Sequence, residues 1–129
     1  MDAIIVPCTQ EKVWDSQPNL GKVPARDAYT KSVFRAWRAH AEGSGLPWFI
    51  LSTKYGLISP EQPIEKYNVP ISAAVGSAAL CSLLERQGRQ LKLGSYDRIV
   101  LLDWERFKPL VRAAVGDSST KCVLRRVKY

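Results

Sequence analysis

The sequence predicts an α/β fold, a small three-layer sandwich on a mostly parallel sheet of about four strands. Two observations predict it. Short, wholly apolar runs stand at residues 3–7, 48–51, 99–102 and 122–124, the pattern of strands buried on both faces. Between them apolar residues recur at helical spacing, so strands and helices alternate, and right-handed crossovers then lay helices on both faces of the sheet. A chain of 129 residues is expected to form one domain over 1–129, able to bury a core without metal or disulfide staples.

The first run, Ala-Ile-Ile-Val-Pro, ends at Pro7. Residues 8–26 are polar and broken by Pro18, Gly21 and Pro24, which predicts an irregular loop. A loop that long in a compact domain is more often functional than idle. Asp27 is placed to cap a helix carrying Tyr29, Val33, Phe34, Trp37 and Ala41, stopped by Gly43 and Gly45. The second strand, Trp-Phe-Ile-Leu, runs into another irregular stretch at residues 52–70, punctuated by Gly56, Pro60, Pro63 and Pro70. Ser72 is a cap for the next helix, whose stripe is Val75, Ala79, Leu80, Leu83, Leu84 and Gln87, reaching Leu91 before Gly94 ends it. After the third strand, Asp103 is placed to cap a helix bearing Phe107, Leu110, Val111, Ala114 and Val115, with Pro109 in its first turn. The last strand is short and basic, with Lys121, Arg125, Arg126 and Lys128 around it.

At 46% hydrophobic and 24% charged, the composition excludes disordered, collagenous and coiled-coil chains. No run approaches the roughly 20 apolar residues of a membrane span, and the start lacks the basic and apolar regions of a secretion signal. A cytoplasmic location with no membrane partner is expected. The three cysteines, Cys8, Cys81 and Cys122, have no paired spacing and His40 is the single histidine, so no disulfide framework, metal site or cofactor is expected. Nineteen basic against twelve acidic residues give a net charge of +7. That bias fits a nucleotide, nucleoside or nucleic acid as partner, and equally an ordinary basic surface.

In an open parallel sheet, ligands bind beyond the carboxyl ends of the strands. Those ends are Pro7-Cys8-Thr9, Leu51-Ser52-Thr53 and Leu102-Asp103-Trp104, and the two long loops leave from the first two. The candidates brought together are Cys8, Thr9 and Lys12; then Ser52, Lys54, Tyr55, Glu61, Glu65 and Tyr67; then Asp103, Trp104 and Arg106. Hydroxyls and lysines near helix starts suit phosphate or carboxylate, and Tyr55, Tyr67 and Trp104 suit stacking on a planar base. Each has a plainer reading: Ser52 and Thr9 as backbone caps, Asp103 as a helix N-cap, Cys8 as a small buried hydrophobe, Trp14, Trp37 and Trp48 as core. No dinucleotide-binding glycine pattern, P-loop, zincin helix or nucleophile elbow is present.

The second loop carries a recognisable block. Ser52-Thr53-Lys54-Tyr55-Gly56-Leu57-Ile58-Ser59-Pro60, followed by Ile64-Glu65-Lys66-Tyr67-Asn68, resembles a bacterial and phage family of uncharacterised domains with a Ser-x-Lys-Tyr-Gly-Leu motif. Pro7-Cys8-Thr9 with Lys12, and Pro24-Ala25-Arg26 with Tyr29, resemble two further blocks of that family, so the likeness covers roughly residues 3–72. Looser forms of these blocks are similar to archaeosine synthase and the peroxide-stress protein YaaA, and the wider set resembles the uracil-DNA-glycosylase-like fold. The resemblance implies a site for a nucleobase, nucleoside or nucleic acid, and adds Arg26, Gly56 and Asn68 to the substrate-binding set. Asn68 stands where the family pattern has aspartate, which puts an amide in place of a carboxylate.

The expected function is therefore processing of a nucleobase, nucleoside or nucleic acid at or near an N-glycosidic bond or a modified base, by a glycosidase or a base-modifying transferase. Thr9 and Lys12 would bind an anion, Ser52, Lys54 and Tyr55 orient the substrate, Tyr67 or Trp104 stack on the ring, and Asp103 or Glu65 supply acid–base or electrostatic help. The alternative is a non-catalytic nucleic-acid- or nucleotide-binding module, with salt-sensitive binding through Arg and Lys.

Overall fold

The computed structural model describes residues 1–102, 105–116 and 121–127. Seven strands are present among them: β1 (Ala3–Pro7), β2 (Val23–Pro24), β3 (Trp48–Ser52), β4 (Gly56–Ile58), β5 (Pro63–Ile64), β6 (Arg98–Leu102) and β7 (Lys121–Arg125). The helices are α1 (Ala25–Ala28), α2 (Ser32–Gly43), α3 (Ile71–Val75), α4 (Ala78–Gln90) and α5 (Lys108–Val115).

The central sheet has the order β4-β3-β1-β6-β7, and β2 and β5 form a separate two-stranded ribbon. The four apolar runs are the four parallel strands: β1 pairs with β3 and β6, and β6 with β7. Every residue of β1 is buried, as a strand flanked on both edges and both faces must be. The fifth strand, β4, is antiparallel to β3 and arises inside the stretch expected to be irregular. Gly56 makes it possible: its φ of 72° lies in the left-handed region, which lets the chain fold back with Gly56 opposite Ser52. The fold is thus mixed α/β with a mostly parallel sheet.

The first crossover, from β1 to β3, runs one way along the sheet; those from β3 over β1 to β6, and from β6 to β7, run the other way. Right-handed connections put α2 on one face and α4 with α5 on the opposite one. Packing agrees, since α2 lies on β1 while α4 and α5 pack against each other. A Cβ at Gly88 would stand 1.7 Å from the carbonyl oxygen of Ala114, so the close approach of α4 to α5 requires a glycine there.

Helix boundaries differ from the sequence reading at three points. Asp27 does not cap the first long helix; it lies within α1, where its carboxylate accepts from the Arg38 guanidinium at 3.0 Å. Tyr29 is extended between α1 and α2, because it bridges Lys12 of the first loop. Ser72 is inside α3, and the cap of α4 is Ser77, whose hydroxyl accepts from Leu80 N–H at 3.1 Å. The stripe shifts accordingly: Leu80, Leu84 and Gly88 are buried, whereas Val75 is exposed. Asp103 lies outside the described residues, as do Trp104 and Lys128. No helix among the described residues is long and apolar enough to cross a membrane.

Candidate functional site

Backbone pairing joins the two long loops. Cys8 N–H donates to Leu51 O at 3.0 Å, continuing the β1–β3 ladder past its end. Farther out, β2 pairs with β5, and the amides of Ala25 and Arg26 donate to Gln62 O and Pro60 O at 2.9 Å each. The first loop is therefore stitched to the second at both of its ends. The first also carries its own anchor, Trp14, buried with its indole N–H donating to Gly21 O at 2.7 Å.

Beneath the junction lies a chain of buried hydroxyls. Ser52 Oγ accepts from the amides of Lys54 and Tyr55 at 3.1 and 3.0 Å, so its own proton goes to Tyr67 Oη at 2.9 Å. Tyr67 Oη in turn lies 2.5 Å from Tyr29 Oη. Both tyrosines are pushed above the ordinary phenol range, first by burial, and stay protonated. The turn over Ser52 is held from the far side by Gln87 of α4, whose Oε1 accepts from Leu57 N–H at 2.7 Å and whose Nε2 donates to Tyr55 O at 3.0 Å.

A cleft of about 300 Å³ opens above the carboxyl ends of β1 and β3, lined by Cys8, Thr9, Lys12, Thr53, Asn68 and Arg106, among others. The helices that follow β1 and β3 lie on opposite faces of the sheet, so this is a topological switch point. Lys12 is the chemically distinctive wall. It is only 7% exposed, and its ammonium donates to Gln10 O at 3.1 Å and lies 4.6 Å from the Tyr67 ring centroid. Among the described residues no carboxylate lies within ion-pair distance of it, and burial lowers its pKa. Asp15 is nearby, but its carboxylate accepts from the Lys12 backbone amide at 2.9 Å. Burial pushes the Cys8 thiol up, which leaves it a small apolar wall rather than a nucleophile.

Of the residues singled out from sequence, Cys8, Thr9, Lys12, Asn68 and Arg106 meet in this cleft. Others do not. Ser52 is fully buried with its hydroxyl occupied, so it braces the turn instead of facing a ligand. The Glu65 carboxylate is exposed and 3.8 Å from the Lys22 ammonium, turned away from the cleft. Glu61 lies 3.6 Å from Arg26, which is also near Asp27 at 3.9 Å. Lys54 is exposed with its ammonium 5.1 Å from the Tyr55 ring centroid, and Tyr55 meets Tyr67 edge-on at 5.6 Å. Tyr67 is an anchor, its hydroxyl enclosed, and Gly56 is the buried pivot of the turn. Thr53 and Gln10 in the cleft, and Gln87 behind it, were not singled out. Thr53 directly follows an apolar strand, which was its signal; that of Gln87 was an amide on an otherwise apolar helix stripe.

The family described as "Family of unknown function (DUF6884)" matches residues 4–100, from β1 into β6. The chain belongs to this family. The Bacillus subtilis (strain 168) protein named "Uncharacterized protein YfjM" is 28% identical over 114 residues, 88% of this chain and 76% of its own length. No solved structure matches the chain. Both stitched loops and the cleft between them fall within the family match, except Arg106 and Phe107.

Proposed function

We propose that the cleft receives one nucleotide unit, and that the protein processes a nucleobase, nucleoside or nucleic acid at or near an N-glycosidic bond or a modified base. Kinship with the uracil-DNA-glycosylase-like fold is part of this proposal. One observation carries it: a lysine side chain only 7% exposed, with no carboxylate within ion-pair distance among the described residues, set in a cleft at the carboxyl edge of a parallel sheet. An ammonium partly withdrawn from water there is stabilised by an incoming anion, and phosphate is the anion that comes with a planar base. The Thr9 and Thr53 side chains and the Asn68 amide supply hydrogen-bonding groups around it. Asp103, which follows β6 in sequence, is the carboxylate proposed for acid–base work.

The test is an NMR titration with nucleosides, nucleoside monophosphates and short oligonucleotides, combined with chromatography for released or altered base. Shifts at Thr9, Lys12, Thr53 and Asn68 are the expected result. Shifts confined to the ends of α4 and α5, around Arg89 and Arg112, would remove the basis for the reading. A non-catalytic binding module is favoured by one observation, that Glu65 and Ser52 stand outside the cleft. Asp103→Asn separates the two: loss of turnover with binding retained marks an enzyme, and wild-type binding without turnover marks the module.

A further inference from the structure

A second cavity of about 200 Å³ adjoins the first and is lined by Trp14, Asp15, Lys66 and Tyr67 together with Gln10, Lys12 and Asn68. The last three also line the cleft described above. The two spaces are therefore not separate holes. They lie on either side of one partition, and Lys12 is the cation in that partition.

Charge is distributed along the same line. Arg106 lines the first cavity, Lys12 lines both, and Lys66 lines the second. Asp15 is the one carboxylate among the described lining residues, and its Oδ2 is taken by the Lys12 amide. The Lys12 ammonium has three donors, gives one to Gln10 O and faces the Tyr67 ring at 4.6 Å, which leaves at least one for a ligand. A free mononucleotide would fill one cavity and leave the other to water. A strand places a phosphodiester between consecutive sugar–base units, the same order as a cation in a wall shared by two cavities.

Resting on the function proposed above, we propose that the ligand is a single-stranded nucleic acid segment, with its phosphodiester on Lys12, one nucleotide in the cleft at Thr9 and Thr53, and the neighbouring nucleotide in the cavity at Lys66. Arg106 and Lys66 follow the backbone at the two ends, as in electrostatic grooves for single strands. The structure thereby assigns Lys66 and Asp15 to a second subsite.

The experiment uses the whole chain and measures binding by competition fluorescence anisotropy. The probes are nucleoside 5′-monophosphates, dinucleotides and tetranucleotides, in deoxyribose and ribose forms. The dinucleotide is expected to bind about tenfold tighter than the mononucleotide, the worth of one charge-assisted contact, and the tetranucleotide little tighter again. Lys66→Ala should remove most of that gain and leave mononucleotide affinity unchanged. Arg89→Ala, on the opposite edge of the sheet, should leave both unchanged and so controls for bulk charge. The two sugar series show whether DNA or RNA is preferred.

Equal affinity for one and two nucleotides, with the mononucleotide seated at Thr9 and Thr53, would overturn the second subsite while leaving the cleft's proposed function intact. An equal loss in Lys66→Ala and Arg89→Ala would reduce the effect to net charge and overturn it also. No binding by any probe would sink both proposals together.

Discussion

The two edges of the central sheet each hold a cavity, and they differ in how their positive charge is kept. At the amino edge, between the ends of α4 and α5, is the larger one, about 660 Å³, with Arg89, Lys92 and Arg112 on its walls. All three are exposed, at or just beyond the carboxyl ends of helices, where basic side chains offset the helix dipole and backbone carbonyls repel anions. At the carboxyl edge the space is less than half as large, but its lysine side chain is largely buried and lies over Tyr67, which a chain of bonded hydroxyls holds in place. The proposed site is thus not at the larger cavity. Solvated cations at helix ends have a sufficient structural explanation, and a desolvated one without a carboxylate partner does not.

The largest expected effect tests the amino edge as pure structure. Gly88→Leu would drive a side chain into the Ala114 carbonyl, 1.7 Å from where its Cβ must sit. The loss is expected to be about 3 kcal/mol, seen as a fall in Tm of roughly 10 °C. Under conditions where the variant remains folded, its ligand affinity should match wild type. Unchanged stability would mean that α4 and α5 are not packed as described.

Next in size is Ser52→Ala at the carboxyl edge. It removes the acceptor for two amides and the donor to Tyr67 at a fully buried position. A loss of about 2 kcal/mol is expected in denaturant unfolding, with weaker ligand binding in the folded protein. A neutral result would mean that the hydroxyl chain does not brace the turn. Gly56→Ala should cost somewhat less, about 1.5 kcal/mol, from its left-handed φ and from a Cβ 2.2 Å from Gln87 Oε1. Pairing it with Gln87→Ala removes the clash but not the φ strain, so the double variant should be less destabilised than the sum of the singles. Strict additivity would show that Gln87 and the turn are independent.

The contrast between edges also explains what could be read without coordinates. The four parallel strands were legible because each is a closed apolar run, and topology alone then named the edge on which Thr9, Lys12 and Arg106 meet, to which the family resemblance added Asn68. The helix starts were less legible. Asp27 and Ser72 have the chemistry of caps, but local propensity yields where tertiary pairing is stronger, as when Tyr29 is drawn into the bridge with Lys12. Side-chain direction was the least legible of all. Ser52 and Glu65 were expected at the cleft, yet one turns inward to Tyr67 and the other outward to Lys22. No spacing rule in an irregular loop fixes that choice, because β5 and the Gly56 turn set it over long range.

The smallest effect on stability bears most on function. Burial lowers the Lys12 pKa, so between that lowered value and the ordinary lysine value near 10.4 the unfolded chain binds more protons than the folded one. Stability held back by the desolvated ammonium is therefore recovered as pH rises through that window. Tyr29 and Tyr67 act in the opposite sense at higher pH, since their raised pKa values keep protons that the unfolded chain releases near pH 10. Lys12→Met tests the lysine when its pH profile is compared with that of wild type below the tyrosine range near pH 10, where both tyrosines stay protonated in either state. The variant should be more stable at pH 7 by about 1 kcal/mol, with the difference shrinking towards pH 10, and should bind nucleotide much more weakly. A variant less stable at pH 7 would show Lys12 to be a structural strut like Ser52. A gain in stability joined to a loss of binding is what separates a residue kept for a ligand from one kept for the fold.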